Sequence, residues 1–477
     1  MNSERHRLPW RLPNGRTAAR MGLIVGVQLV LLGGFALDWR VPLVIAVGGV
    51  GGMLLLDRPV AATCVLIAAR LVSTGTTSLL TVGPMRIGLF EPILGIALLA
   101  LLARVVLHRA PLRLGLPWRP IHLAMIGWNV LGLAWCARIS DGIGDIVGLG
   151  VVLATSTILV TFLDRWEHLR AALWTWIATC VAIGLLAVGG DAIGLADYGA
   201  QWQASAAGGR ETGLGQQPNW FAMNLGFVIP ATVAFAWIQT RAVARWGLFA
   251  AAAFITVAMM TSGSRGGAYS LLIGCGLMAL GQPRLRSWAL RLAGVGAAVF
   301  ALAALGGLGD AGRGLNRITM NLGVLFARDI RGMNWAACIA MARDTWGLGI
   351  GPGGYVDHLQ RYNDWLYHSV YRYPHGIPWG QLAHGGVVGL GLWLAMIVGV
   401  ARMSLQTVRD LRGTEAEPLA WAMPASLAGY AAWSCVEFNL DDKPAWEWLA
   451  LTTALHAIGR AARDGRHPPL PAPRSSP

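Results

Sequence analysis

Long apolar segments alternate with short polar segments along most of the chain. Many of the apolar segments approach the ~20 residues that a helix needs to cross a bilayer. The polar segments between them contain Gly, Pro or Arg, which is typical of tight connections. The pattern predicts about twelve to fourteen transmembrane helices. Their predicted positions are 22–37, 41–56, 59–73, 88–107, 120–137, 143–163, 169–190, 219–239, 245–261, 267–281, 289–307, 381–401, 418–436 and 444–460.

The composition agrees with a membrane protein rather than a soluble one. Hydrophobic residues make up 55% of the chain, charged residues only 13%, and the mean hydropathy is +0.52. Soluble globular domains carry about 25% charged residues. Membrane β-barrels would instead show alternating segments of about 10 residues. We therefore predict an all-α, polytopic transmembrane helix bundle.

The distribution of positive charge predicts how the chain is oriented. The net charge is +14, and Lys443 is the only lysine among the basic residues. Most arginines fall in alternate connections and in both tails, which the positive-inside rule assigns to the cytoplasm. We expect both termini to be cytoplasmic and the first span to be uncleaved. Because the arginines follow the loops, their excess does not indicate nucleic-acid binding.

One long polar segment interrupts the apolar pattern, and segments of that length are usually functional. Within it, residues 333–346 have helical spacing, and the glycine-rich run 347–354 ends that helix. The predicted organisation is a basic cytoplasmic tail (1–20), transmembrane helices (21–306), a large periplasmic loop with short helices (307–380), C-terminal transmembrane helices (381–461) and a disordered cytoplasmic tail (462–477).

Ionisable side chains on the predicted outer side are candidates for chemistry. Arg265 lies at a turn between two apolar runs, and Arg210 lies in the polar connection 191–218. Arginine has a planar, permanently charged fork that binds phosphate oxygens. His375 precedes the next apolar run and can exchange a proton near neutral pH. Taken singly, the arginines are equally well explained as interfacial side chains that reach toward water, and His375 is better explained as a hydrogen-bonded histidine at the interface.

Other kinds of site fit the sequence less well. Four histidines follow one another at positions 358, 368, 375 and 384. Their spacing does not match that of known zinc-binding motifs. No Lys-Ser or Lys-Thr follows the run 347–354, as it would in a P-loop. The six cysteines are scattered and predict neither disulfides nor a metal site. Glu91, in an apolar run, is a candidate for a buried acid that couples to protons, with a role in helix packing as the alternative.

Several segments together resemble the superfamily of bacterial O-antigen ligases and O-antigen polymerases. Their order and spacing carry the resemblance, because no single segment is specific. The segments are residues 210–213 (R-E-T-G) followed by 218–222 (P-N-W-F-A), 262–267 (S-G-S-R-G-G), 331–335 (R-G-M-N-W), 347–353 (G-L-G-I-G-P-G), and 375–376 (H-G) followed by 386–389 (G-V-V-G). The last pair is similar to the family's H-[N/S/Q]-x9-G-x-x-G signature, from which Gly376 departs.

The resemblance implies a glycosyltransferase of the bacterial inner membrane. Such enzymes transfer a glycan from undecaprenyl pyrophosphate, at the periplasmic face, to a hydroxyl of lipid A-core, of another glycan or of a protein. They need neither a metal ion nor a nucleotide cofactor. The resemblance assigns Arg210 and Arg265 to the donor pyrophosphate and His375 to the acceptor hydroxyl. Further candidates for substrate contacts are Arg331, Arg328 and Trp335.

Two other classes of protein remain open at this point. A transporter for a small anion or sugar would use Arg265, Arg210 and Glu91 as substrate or coupling groups. The sequence shows no clear repeat between its halves, and these arginines lie at predicted helix ends rather than at the midplane, which both disfavour a transporter. A structural partner of an envelope complex would leave the outer arginines and histidine unexplained. Ligase and polymerase activity both fit the sequence.

We predict that His375→Ala and Arg265→Ala each abolish glycan transfer, because one removes the proton-exchanging group and the other a charge on the leaving group. Both variants are expected to reach the membrane at wild-type levels. Immunoblots of membrane fractions and glycan gels from the same cells measure the two quantities. Normal glycan assembly in both variants would contradict these site assignments.

Overall fold

The computed structural model of the protein describes most of the chain between residues 58 and 466. The described residues are 58–72, 80–82, 85–87, 90–108, 112, 116–189, 218–292, 294, 298, 330–369, 372–437, 443–466 and 470. The predicted spans 22–37 and 41–56, most of the span 289–307, the N-terminal tail and most of the C-terminal tail lie outside them. Arg210 and Arg328 also lie outside the described residues.

The described residues form mostly α-helices. The elements are α1 (Pro59–Val72), β1 (Leu80–Val82), β2 (Met85–Ile87), α2 (Phe90–His108), α3 (Arg119–Gly132), α4 (Ile139–Phe162), α5 (Trp166–Gly189), α6 (Pro218–Trp237), α7 (Ala242–Thr261), α8 (Arg265–Gly281), a 3-10 turn (Pro283–Leu285), α9 (Ile330–Asp344), α10 (Tyr355–Tyr362), α11 (Asp364–His368), α12 (Ile377–Asp410), α13 (Glu417–Ser434) and α14 (Lys443–Arg463).

The fold is an all-α helix bundle of a multi-pass membrane protein, as the hydrophobic pattern predicts. Five of the described helices, α4, α5, α6, α7 and α12, are long and apolar enough to cross a membrane. The other apolar runs that fall within the described ranges are helical too, with ends shifted by a few residues. One small element was not predicted, an antiparallel hairpin in which Leu80 pairs with Ile87.

Helix α6 is the most enclosed of these five helices. In its most apolar window 89% of the residues are buried, against 22–44% in the other four helices. It packs against α7, α8 and α13, and its carbonyl at Phe227 accepts a hydrogen bond of 2.7 Å from Ser426 Oγ. A helix that is apolar on all sides is typical of a core position. The residues at the start of α6 are therefore held by the core of the bundle.

The described part of the polar segment 307–380 has a small hydrophobic core of its own. Helices α9, α10 and α11 surround it, and the first turns of α12 close it. The buried residues are Ala337, Cys338, Met341, Ile350, Tyr355, Leu359, Leu366 and Ala383. Inside the core, Tyr355 Oη donates a hydrogen bond of 2.7 Å to Asn334 Oδ1. The predicted helix at 333–346 is confirmed, with observed ends at Ile330 and Asp344.

A glycine-rich turn, residues 347–353, attaches this small core to the membrane helix α12. The helix is broken at Gly386, whose φ of 62° and ψ of −154° are not helical. The backbone of the glycine turn lies against the break. Three backbone hydrogen bonds join them: Ile350 N donates to Ala383 O (2.9 Å), Gly351 N to His384 O (3.0 Å), and Val387 N to Gly347 O (2.9 Å).

These bonds give partners to backbone N–H and C=O groups that a break in a helix leaves without their helical hydrogen bonds. In hydrocarbon each unsatisfied backbone group costs several kcal/mol, so a break must find partners inside the protein. Two tryptophans complete the pairing: Trp128 Nε1 donates to Gly385 O at 2.8 Å, and Trp135 Nε1 donates to Gly349 O at 3.0 Å. The glycine turn and the break in α12 therefore stabilise each other.

We predict that Gly386→Ala strongly destabilises the protein. The backbone of Gly386 occupies a region open essentially to glycine alone, at a cost of ~1–3 kcal/mol for other residues. A Cβ there would also overlap Gly347 O and lie 2.5 Å from Leu348 C. Thermal unfolding in detergent should show a clear loss of stability. Gly391→Ala is the matched control, because this exposed glycine of the same helix has no atom within 4 Å of an added Cβ. Equal stability of both variants would refute this account of the break.

Candidate active site

The segments that carry the sequence motifs meet at one end of the bundle, where several helices begin. Among them are α6, α8, α9 and α12, and α13 ends there. Hydrogen bonds and close contacts join residues from all five helix ends. The N-terminal end of a helix carries about half a positive charge, so this group of ends favours an anion.

Ser264 links the start of α8 to the start of α6. Its hydroxyl accepts a hydrogen bond from Gly267 N at 3.2 Å, which caps α8, and donates to Asn219 Oδ1 at 2.9 Å. Gly267 allows the close approach, since a Cβ there would lie 2.6 Å from Ala222 Cβ. The structure places Arg265 as the first residue of α8, while its side chain lies outside the described part.

A buried carboxylate, Glu437, joins three of the helix ends. It follows the end of α13 and is only 2% exposed. Its Oε1 accepts a hydrogen bond from Asn219 Nδ2 at 2.5 Å and one from Arg331 Nη2 at 3.2 Å. Arg331 also donates from Nε to Val436 O at 3.1 Å. The predicted residue Arg331, in the first turn of α9, is thus held at two of its nitrogens.

His375 lies just before α12 and is buried, with 5% exposure. Its backbone φ of 51° is left-handed, which is rare for residues other than glycine and typical of constrained sites. Trp335 Nε1 donates to His375 O at 2.7 Å, and the Trp335 indole stacks on Trp379 at 5.1 Å. The ring of Tyr373 lies 3.9 Å from the imidazole. Trp335 and Tyr373 therefore fix where this histidine lies.

Gly376 explains one departure from the family's signature. Its φ is 144°, and a Cβ at this position would lie 2.5 Å from Cys435 O. A larger residue would push the start of α12 away from the end of α13. The His375–Gly376 turn thus packs directly on the segment that leads to Glu437.

The structure connects some predicted site residues and separates others. Arg331, Trp335 and His375 belong to the connected group, together with Asn219 and Ser264. His368 is exposed and pairs with Asp364 at 3.5 Å, and the ring of His384 lies beside Tyr355, at 6.3 Å. Within the described ranges, no three His, Cys, Asp or Glu side chains could hold a metal ion.

One sequence hypothesis is wrong. Glu91 was a candidate for a buried, proton-coupling acid, but it lies in the first turn of α2 and is exposed. The described part of the helix begins at Phe90, so the carboxylate lies in its first turn.

Glu437 is the residue that sequence reasoning missed. The sequence feature that could have identified it is its position: an acidic residue directly after the apolar run of α13, on the predicted outer side. Asn219 was identified only as part of a motif, without a role. Their partnership joins positions 219, 331 and 437, and no local pattern in the sequence reports such a contact.

Two polar side chains near the site are structural rather than reactive. Burial raises the pKa of the Cys338 thiol to about 12, so it stays protonated at neutral pH. Burial also raises the pKa of Tyr355, and the neighbouring Cys338 adds to this effect. Both side chains belong to the small core of the polar segment and hold α9 in place beneath Arg331 and Trp335.

Part of the chain matches a known protein family. Residues 249–394 match the family model described as O-antigen ligase. The predicted resemblance to the O-antigen ligase and polymerase superfamily is confirmed, and the match supports glycan transfer of this general type by a multi-pass membrane protein. The matched stretch contains Ser264, Arg331, Trp335, His375 and the break at Gly386. No curated protein matches the chain.

We predict that Trp335→Phe lowers glycan transfer while the protein stays folded. Phenylalanine preserves the stacking on Trp379 but cannot donate to the buried carbonyl of His375, and such a loss costs ~1–3 kcal/mol. A transfer assay on purified protein measures the effect, and a melting curve verifies the fold. Trp365→Phe, at an exposed tryptophan of α11, is the control and should leave transfer unchanged. Full activity of Trp335→Phe would mean that this hydrogen bond does not position His375.

Proposed function

We propose that the protein transfers a glycan from undecaprenyl pyrophosphate to an acceptor hydroxyl at the periplasmic face of the bacterial inner membrane. The observation that carries the proposal is the convergence of Arg331, His375 and the N-terminal ends of α6, α8, α9 and α12 at one end of the bundle. A lipid-linked pyrophosphate would find positive charge there, and an acceptor would find a proton-exchanging histidine.

The donor pyrophosphate is assigned to the arginines and the helix ends. Arg331 is fixed at two nitrogens, and Arg265 begins α8. Arg210 and Arg328 complete the assignment from the sequence. When the bond from the sugar to the pyrophosphate breaks, the electron pair leaves with the phosphate oxygen. Fixed positive groups stabilise this growing charge, which is often the largest contribution to catalysis. These groups supply the charge that a metal ion provides in other transferases, so the proposal requires none.

His375 is assigned to the acceptor. Its imidazole would take the proton from the acceptor hydroxyl while the oxygen attacks the anomeric carbon of the donor. A base must be held in place to act within hydrogen-bond reach of that hydroxyl. The left-handed backbone at His375, the hydrogen bond from Trp335 and the contact with Tyr373 provide this positioning.

An apolar cavity beside the site supports a lipid-linked donor. It has a volume of about 450 Å³ and lies between α12, α13 and α14. Its lining is almost entirely apolar and includes Ile377, Met396, Val400, Trp421, Tyr430 and Leu449. Ile377 follows the His375–Gly376 turn directly, so the cavity begins at the proposed site. A flexible polyprenyl chain fits such a lining because it buries apolar surface without needing hydrogen bonds.

The ends of the helices support the proposed orientation. Arg409, Arg460, Arg463 and other arginines lie at the end of the bundle opposite to His375, where Arg463 pairs with Asp410. The positive-inside rule assigns that end to the cytoplasm. The site would then face the periplasm, and both termini would be cytoplasmic. The acceptor would be lipid A-core, a second glycan or a protein.

We predict that a strain lacking the gene loses long glycans on their final acceptor. If the protein is a ligase, long polymer accumulates on undecaprenyl pyrophosphate and lipid A-core stays bare. If it is a polymerase, single repeat units are attached or accumulate and long chains disappear. Glycan gels with parallel quantification of lipid-linked intermediates distinguish the two outcomes.

The deletion experiment has a matched pair of rescue variants. The wild-type gene and His368→Ala, at the exposed histidine of α11, should restore the glycans, whereas His375→Ala should not. Unchanged glycans in the deletion strain would overturn the proposed function.

A further inference from the structure

Glu437 lies at the centre of the proposed site, yet the proposed reaction does not use it. Its side chain is 3% exposed, and its Oε1 accepts hydrogen bonds from Asn219 and from Arg331. The carboxylate follows the C-terminal end of α13, where the helix dipole disfavours negative charge. A buried carboxylate is costly unless it is paired and hydrogen-bonded. Its presence therefore needs a reason beyond packing.

The contacts of Glu437 reach three separate parts of the chain. Asn219 begins α6, which is held by the core of the bundle. Through Asn219 Oδ1 the network continues to Ser264, the residue that caps α8 before Arg265. Arg331 begins α9, which belongs to the small core of the polar segment. Glu437 thus ties the polar segment to the two membrane helices whose starts carry the family motifs.

The geometry at Arg331 indicates what this connection does. The guanidinium donates from Nη2 to Glu437 Oε1 and from Nε to Val436 O, so its plane is fixed relative to the end of α13. The side chain is nevertheless 26% exposed, unlike that of its partner. Recognition of phosphate oxygens by arginine depends on the orientation of its planar fork. A carboxylate that fixes this plane prepares the arginine for an anion before the anion arrives.

We propose that Glu437 is a positioning residue of the transfer site, which orients Arg331 and, through Asn219, the start of α8 for the donor pyrophosphate. This inference rests on the proposed function. Glu437 acts through Arg331 and Asn219 and makes no contact with the substrate. The inference adds one acidic residue to a site whose other donor-binding groups are positively charged.

The experiment measures binding of undecaprenyl pyrophosphate to the purified full-length protein in lipid nanodiscs. Glu437→Gln keeps the size and a hydrogen-bond acceptor but removes the charge. It should weaken binding by roughly tenfold, because Arg331 keeps its charge but is held less firmly in the orientation that suits phosphate oxygens. In the transfer assay the KM for the lipid-linked glycan should rise in the same proportion, with a smaller change in kcat. The melting temperature should stay within a few degrees of wild type.

A double-mutant cycle separates positioning from a general structural role. Arg331→Ala should weaken binding by a smaller factor in the Glu437→Gln background than in the wild-type background, because the arginine that it removes there is already less well oriented. Additive effects of the two substitutions, or unchanged binding in Glu437→Gln, would overturn the inference. Glu417→Gln is the matched control: this glutamate lies at the opposite end of α13 and caps a turn through Gly413 N.

A second variant keeps the test decisive if Glu437→Gln does not fold. Arg331→Lys preserves the charge but lacks the planar fork that residues 436 and 437 orient, so it should recover little of the affinity that is lost in Arg331→Ala. Wild-type affinity in Arg331→Lys would refute the role of orientation. Failure of the proposed function looks different, because the wild-type protein itself would then neither bind undecaprenyl pyrophosphate nor transfer the glycan.

Discussion

The hydrogen bonds between the glycine turn (residues 347–353) and the break in α12 are the interaction on which the site depends. They satisfy backbone groups that a bilayer could not satisfy. They also fix the polar segment on the bundle, because Ile350 and Ala383 bury their side chains in the same small core. His375 lies just before the helix that carries the break, and Arg331 and Trp335 lie on the helix that leads into the turn. The relative position of these three residues follows from this one attachment.

The electrostatics of the site show a balance rather than a simple excess of positive charge. Helix N-terminal ends and arginines favour an anion, but unpaired positive groups in a dry environment would repel one another and move apart. The carboxylate of Glu437, bound by Asn219 and Arg331, offsets part of this charge. In the same region two neutral side chains, Cys338 and Tyr355, support α9 without contributing charge.

The fold could be predicted from sequence to a large extent, because a bilayer leaves few choices for the backbone. The apolar runs gave the described membrane helices, and the helix within the polar segment followed from its spacing. The site could be predicted only in part. Motif order pointed to His375, Arg331 and Trp335, which the structure brings together. It did not point to Glu437, because the contacts of this residue join segments that are distant in sequence. Glu91 was misjudged because an apolar run does not show which of its residues lie in the exposed first turn of the helix.

The break at Gly386 also divides α12 into two parts that pack against different groups of helices. The first part packs with the small core of α9, α10 and α11 through Ala383, while the part after the break packs with α13 and α14 along the apolar cavity. In the sequence the polar segment ends near residue 380, but the unit that packs around its small core extends to the break at Gly386. A chimera that exchanges this segment between relatives should be joined at Gly386, so that the exchanged unit keeps its own core and the recipient keeps its lipid-facing helices.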